Sequence, residues 1–340
     1  MATFENQLDY DSFSPRIAVV GLGGQGCNLV NRLYNSGITS ADTIAMNTDL
    51  AHLNMIKAGK KLLLGREITQ GLGAGGYPEI GAKAVDLSRA DVEKALAGYD
   101  LVFLAAGLGG GTGSGSAAPV ARIAKELGAT VIATVTYPFA LERSRKLKAD
   151  WAFEQLSKHA DCTIVIENDR LLSFAPNLPI EKAFAMVDNI TGNAVKGIAD
   201  TIMLPSLINL DFADLATVVR NSGTAVISIG MGSGPDRVDQ VIRSTRSHPL
   251  LNAEYDGAKG ALVHVVGGTN LTIGDANRIG EGVTENLANN ANVIFGARML
   301  PELNDQIRVM SVITGVKAKF GTPKGEFVPT LRMEALEKLY

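Results

Sequence analysis

Short unbroken apolar runs alternate, through the first half of this chain, with stretches whose apolar positions recur every three or four residues. RIAVVG (16–21), DTIAMNTD (42–49), KLLLG (61–65), LVFLAA (101–106), ATVIATVTYPF (129–139) and DCTIVIEND (161–169) are short and mostly β-branched or aliphatic, which predicts buried strands. Between the first two, CNLVNRLYNSG (27–37) puts Leu29, Val30, Leu33 and Tyr34 on one helical face and ends at Gly37 as a C-cap. A helical stretch through Leu96 and the segment APVARIAKELG continue the alternation. Strands alternating with helices predict an α/β fold, a doubly wound and mostly parallel sheet, in which ligands bind outside the carboxyl ends of the strands.

A long helical pattern over 179–203 follows, and then the character changes. TAVISIGMG (224–232), ALVHVVGG (261–268), NVIFGAR (292–298) and IRVMSVITGV (307–316) predict strands, with helices near 234–247 and 274–290, so a second, α+β domain is expected. The expected divisions are a polar N-terminal arm at 1–15, a first domain at 16–178, a central helix and following loop at 179–216, the second domain at 217–316, and a tail at 317–340 whose end, RMEALEKLY, has helical character.

Composition removes several classes. With 32 basic against 35 acidic side chains in 340 residues, no polybasic surface argues for nucleic acid or lipid. Cys27 and Cys162 fit neither a disulfide framework nor a metal spacing, and His52, His159, His248 and His264 are scattered, so each histidine is expected at the surface or as a satisfied interior group. No run approaches the roughly 18 apolar residues of a membrane span, and the expectation is a soluble cytoplasmic protein in a reducing compartment.

The chemistry lies in three glycine-rich loops. GLGGGTGSG (107–115) sits between a predicted strand and a predicted helix, where backbone N–H groups can converge on an anion at the positive end of a helix. So many glycines without some return would cost on the order of several kcal/mol of chain entropy. The first loop spells Gly21-x-Gly23-x-x-Gly26, and Asp49 follows at a spacing a dinucleotide fold uses, so a nicotinamide-dependent oxidoreductase is one reading. That reading leaves the loops at 71–76 and 107–115 without a role. No loop contains GxxxxGK[ST], and a triphosphate gripped by several glycine loops with a divalent cation accounts for more of the chain.

GGGTGSG (109–115) resembles the tubulin signature loop. With NTD (47–49), GLGAGG-x-PEIG (71–81), ENDR (167–170), LINLDFAD (207–214) and SHPLL (247–251) in the same order, the span from Ile17 to about Val316 is similar to the FtsZ family of prokaryotic tubulin-like GTPases. The resemblance implies GTP/GDP as ligand with Mg²⁺ accompanying GTP, head-to-tail self-assembly into filaments, membrane-adaptor and division proteins as partners, and action in the cytoplasm at the division site. A tubulin-like paralogue that controls cell shape is the alternative within the superfamily. Carried over by position, Gly24, Gln25, Gly26 and Cys27 would form the first phosphate loop, with Asn28 on the nucleoside side and Asn47 in the next loop. Ala74 and Gly75 would face the γ-phosphate, and Gly111, Thr112 and Gly113 would form the signature loop. Glu142 and Lys146 would lie beside the ribose, and Asn168, Phe184 and Asp188 beside the base. A carboxylate at 188 could accept from both N1–H and N2–H₂ of guanine, a pattern adenine lacks.

Two departures stand out. Where the family has glycine, Gln25 and Cys27 add bulk that is expected to tighten the phosphate pocket, and Lys146, beside Arg145, stands where a forked guanidinium is usual. Asp211 and Asp214, with Asn209, begin a helix after the long central one, on the order of 30 Å from the loops their own chain contributes. The resemblance makes them the catalytic loop that enters the next subunit's pocket.

Overall fold

The structure is a computed structural model that describes residues 14–170, 177, 179–204, 211–220, 222–247, 253–254 and 257–318. Asn209, most of the arm, most of SHPLL and the RMEALEKLY segment lie outside the described residues.

The chain builds β1 (Ile17–Leu22), α1 (Gly23–Asn35), β2 (Asp42–Asn47), α2 (Leu50–Met55), β3 (Lys60–Leu63), α3 (Arg66–Thr69), α4 (Pro78–Leu87), α5 (Arg89–Leu96), β4 (Leu101–Gly107), α6 (Thr112–Glu126), β5 (Thr130–Tyr137), α7 (Arg143–Leu156) and β6 (Cys162–Glu167). The central helix α8 (Ile180–Met203) and the short α9 (Phe212–Val219) lead to β7 (Gly223–Ser233), α10 (Arg237–Ser247), β8 (Ala253–Glu254), β9 (Gly260–Gly267), α11 (Ile273–Thr284), β10 (Asn292–Met299), β11 (Gln306–Thr314) and β12 (Lys317–Ala318). Two helices begin earlier than the sequence pattern predicts. Glycine runs at 23–26 and 112–115 read as loops because glycine disfavours helix, yet both are first turns of helices, held by the packing described below.

Ten strands form one sheet in the order β10-β9-β11-β7-β6-β5-β4-β1-β2-β3. Pairing from β6 to β7 is parallel, through Cys162↔Gly223, Thr163↔Thr224 and Ile164↔Ala225, so the strands of the second half extend the first sheet. Only β11 runs against its neighbours, β7 and β9. Alternation along β1 shows the double winding. Ala18, Val20 and Leu22 pack with Val85 of α4, Leu96 of α5, Val120 of α6 and Leu156 of α7, whereas Ile17 and Val19 pack with Val30 and Leu33 of α1 and with Val195 and Ile198 of α8. Tyr34, expected on the buried face of α1, is 46% exposed, because Leu29, Val30 and Leu33 already fill the seam. No described helix is long and apolar enough to cross a membrane.

His264 on β9 departs from the expectation of a satisfied histidine: it is buried and its Nε2 has no hydrogen-bond partner. Burial, and then the cation of Arg298, push it down to about 4, while Asp200 of α8 opposes them. A histidine protonated in the unfolded chain but neutral when folded stabilises the fold fully above pH 6.5, and that contribution is lost as pH falls from 6.5 to about 4. The loss should reach up to about 3 kcal/mol, and His264→Gln should flatten that acid limb in urea titrations at a series of pH values. An unchanged limb would show that His264 does not govern it.

Candidate functional site

The two longest helices after the glycine turns start without help from side chains. Leu22 caps α1 and Gly111 caps α6; neither supplies a side-chain hydrogen bond, and neither first turn contains an acid. Asp49 on α2, Asp211 on α9 and Thr272 on α11 do cap with oxygen, whereas α3, α4, α5, α7 and α8 also start without a side-chain cap, so what sets α1 and α6 apart is that their uncapped starts adjoin. The first N–H groups of α1 and α6 are thus left to something outside the helix, at two positive dipole ends. These ends touch. A Cβ on Gly23, at φ +66°, would come 2.9 Å from the backbone nitrogen of Gly113, a Cβ on Gly26 would meet the carbonyl of Ala105, and one on Gly113 would meet that of Gly107. The cradle needs glycine because backbones meet there, and the N–H groups it presents suit phosphate oxygens.

The neighbouring loops are tied to this cradle. The hydroxyls of Thr48 and Thr112 lie 2.7 Å apart, Gly73 donates to the carbonyl of Thr48 at 3.1 Å, and Leu50 donates to that of Gly71 at 2.9 Å. From α7, Lys148 Nζ donates to the carbonyl of Gly76 at 2.7 Å. Ala74 is buried against Gly111, and Gly75 is exposed with φ +58°. Gly24 is exposed with open space around its Cα. Asn47 is buried and accepts from the backbone nitrogen of Thr48 at 2.9 Å, and Asn28 lies exposed on the first turns of α1.

A second group of polar atoms continues from the cradle toward α8. Asp188 is 8% exposed and pairs through Oδ2 with Arg32 Nε at 3.2 Å; burial pushes its carboxyl up, and Arg32 opposes that. Gln25, Gly26, Thr134, Thr136 and Asp188 line one small pocket. Thr134 Oγ1 and Thr136 Oγ1 on β5, and Asn168 Oδ1 after β6, are buried without hydrogen-bond partners. Each such orphan costs about 1–3 kcal/mol unless a ligand or water satisfies it. Phe184 stands edge-on to Phe139, centroids 5.8 Å apart. Glu142 accepts from the backbone nitrogen of Phe139 at 3.1 Å and pairs with Arg145 at 2.8 Å, so Arg145 takes the carboxylate and Lys146 is left exposed.

Cys27 does not crowd the cradle as its bulk suggested. Its thiol turns into the core, 3.6 Å from the Gly21 carbonyl and 3.5 Å from that of Met46, because the second residue after Gln25 falls on the inward face of α1. Burial pushes Cys27 and Cys162 each up to about 12. Neither thiol should react with a disulfide reagent at pH 8 until the chain unfolds, because the thiolate is the nucleophile. One fast-reacting equivalent in the native protein would contradict this assignment.

Asp211 and Asp214 are exposed, and Asp211 Oδ1 accepts from the backbone nitrogen of Asp214 at 2.8 Å. Their helix lies at the other edge of the sheet. Val218 of α9 accepts from Thr314 Oγ1 at 3.4 Å, and Thr314 pairs with Ala225 and Gly260 at the amino ends of β7 and β9. From Asp188 to the end of α8 is already about 22 Å. The structure therefore gathers the nucleotide candidates at the carboxyl edge and leaves these two acids apart. Sequence reasoning passed over Arg32, Thr134, Thr136 and His52. Thr134 and Thr136 carried a signal, since hydroxyls two apart in a fully buried strand occupy one inward face.

A doubly wound sheet with two adjoining uncapped helix starts and a line of orphaned polar atoms defines a nucleotide-binding protein without a P-loop. Residues 16–176 match the GTPase domain of the Tubulin/FtsZ family, and residues 223–317 match the FtsZ family C-terminal domain. The chain belongs to the tubulin/FtsZ family. It is 54% identical over 306 residues to cell division protein FtsZ 2 of Methanocaldococcus jannaschii, covering 89% of this chain and 80% of that one. It is 44% identical over 317 residues to FtsZ 1 of Pyrococcus furiosus, covering 93% and 85%. Its structure resembles an M. jannaschii FtsZ dimer with TM-score 0.86 at 40% identity, covering 95% and 97%. CetZ2 of Haloferax volcanii, in a GTPγS-bound protofilament, shares the fold with TM-score 0.77 at 21% identity, covering 90% and 95%. The nucleotide of the GTPase domain is GTP or GDP. The nicotinamide reading falls with this, and Asp49, its ribose acid, is occupied in capping α2 through the nitrogen of His52 at 2.9 Å.

Proposed function

We propose that this GTPase assembles head to tail into filaments and hydrolyses GTP where two subunits meet, serving cell division in the cytoplasm at the division site. The separation just described carries the reading. A phosphate cradle occupies one edge of the sheet, and an exposed acid pair without a phosphate occupies the other. Contact between unlike edges is heterologous and, where it does not close, generates a filament. Two large aliphatic side chains on these loops stand out, Leu72 83% and Leu141 80% exposed, which suits a surface that a second copy covers. Identity of 54% and 44% to proteins named for cell division favours division over a shape-determining role.

In this reading the starts of α1 and α6, with Thr112 and the loop of Ala74 and Gly75, hold the phosphates. Glu142 lies at the ribose, Asn28 on the nucleoside side, and Asn168, Phe184 and Asp188 at the base. Residues 16–178 act as the nucleotide-binding unit, 179–216 as helix and catalytic loop, and 217–316 as the unit that presents the loop. Among the described residues no group of three or more His, Cys, Asp or Glu side chains gathers to cage a metal. Mg²⁺ would therefore arrive on the triphosphate, with Asp211 or Asp214 of the next subunit as protein ligand, and would neutralise charge on the phosphates. Asp211 and Asp214 would orient the attacking water, with Asn209 positioning them.

The test is GTP hydrolysis per subunit against protein concentration, with Mg²⁺, alongside sedimentation. A specific rate rising from near zero above a threshold, together with pelleting, is expected. A concentration-independent rate would mean the site is complete in one chain and would overturn the reading.

A further inference from the structure

Between α1 and the loop after β2 runs a chain of hydrogen bonds that the proposed hydrolysis does not use. Its direction is settled at one end. The backbone N–H of Thr48 can only donate, so Asn47 Oδ1, 2.9 Å away, must accept, and the amide nitrogen of Asn47 is turned the other way. That nitrogen lies 3.3 Å from His52 Nδ1, which must then accept. An imidazole that accepts at Nδ1 carries its proton on Nε2, and Nε2 lies 3.1 Å from Asn28 Oδ1. Asn28 therefore accepts through its oxygen and keeps both N–H donors of its amide for the crevice.

Each link is placed by local structure. Asp49 caps α2 by accepting from the nitrogen of His52, which sets the first turn so that the imidazole folds back over Asn47. Asn28 follows the cradle directly on α1, one turn before Arg32, the partner of Asp188. It thus stands between the phosphate end and the base end of the crevice. An exposed asparagine would otherwise rotate freely and present oxygen as readily as nitrogen.

We propose that His52 is a positioning residue for nucleotide recognition: as a neutral imidazole protonated at Nε2, it locks the Asn28 amide with its donors toward the acceptor atoms of the nucleoside. The inference rests on the reading of Asn28 as a nucleotide contact. His52 acts through Asn28 and through the loop of Asn47, touching no phosphate itself.

The experiment is GDP affinity by calorimetry at protein concentrations below assembly, for the full chain and for His52→Phe, His52→Gln, Asn28→Ala and the His52→Phe/Asn28→Ala pair, each checked for folding by circular dichroism and melting temperature. His52→Phe should weaken GDP by about tenfold, the range of one well-placed hydrogen bond. Glutamine, whose amide nitrogen can donate to Asn28, should restore most of the loss. With Asn28 already alanine, His52→Phe should add nothing, because its route to the nucleotide is gone. Full affinity in His52→Phe, or independent losses from the two substitutions, would overturn the proposal. Should Asn28→Ala alone bind GDP normally, the proposal falls because Asn28 is no contact, and the fault lies with the site reading. If His52→Phe does not fold, His52→Leu, which likewise cannot donate to Asn28, makes the same comparison in the two Asn28 backgrounds.

Discussion

Replacing Asp211 with alanine is expected to leave GTP binding and filament formation in place and to lower turnover per subunit at saturating protein by at least about a hundredfold, the scale of losing a group that aims or deprotonates the nucleophile. Asp211 also caps α9, and losing that cap costs about 1 kcal/mol of local stability. Asp211→Ser separates the two effects, since serine caps equally well but carries no charge. It should keep the melting temperature and lose turnover as alanine does. Because the acid is proposed to serve a neighbour, a mixture of Asp211→Ala subunits with Asp188→Ala subunits should hydrolyse faster than the sum of the two alone. Intact pockets in one would then meet intact acids from the other. Undiminished hydrolysis by Asp211→Ala, or no gain on mixing, would remove the acid pair from the reaction.

The second large effect is on base selection. Asp188 is buried on α8, held on one oxygen by Arg32, and faces a pocket edged by orphaned threonine hydroxyls. Hydrogen bonds to a charged acceptor contribute about 1.5–3 kcal/mol each, so two of them to guanine separate GTP from ATP by on the order of a hundredfold or more. Asp188→Ala should abolish that preference in competition binding and leave Arg32 without its buried partner. Asp188→Asn should do nearly as much, since an amide offers only one acceptor. Discrimination that survives both substitutions would take Asp188 out of the site.

Much of this molecule follows from local pattern. Strand positions, the long central helix and the alternation that predicts a doubly wound sheet could be read because burial of a strand or a helix face leaves a period in the residues themselves. The glycine loops could be read because several of their glycines, Gly23, Gly26 and Gly113 among them, stand where a side chain is excluded. Local pattern also misled where contacts are non-local. The glycine-rich stretches 23–26 and 112–115 look like loops but start helices, since backbones of α1, β4 and α6 approach too closely at Gly23, Gly26 and Gly113 for a Cβ. Cys27 looked like a phosphate-loop intrusion and is a core residue, because helix phase turns it inward.

Spacing along the chain says nothing about which side chains meet across it. Arg32 with Asp188, His52 with Asn28 and Asn47, and the threonines of β5 beside α1 join residues from separate elements. The same holds for the pairing of β6 with β7, which joins the strands of the two halves into one continuous sheet. The sequence by itself determined most of the elements and the glycine-rich cradle between them, since periodicity and glycine are local properties. Tertiary structure alone decided which polar atoms are left without partners around that cradle, and that the acids stand at the opposite edge, because both depend on how strands of distant sequence lie side by side.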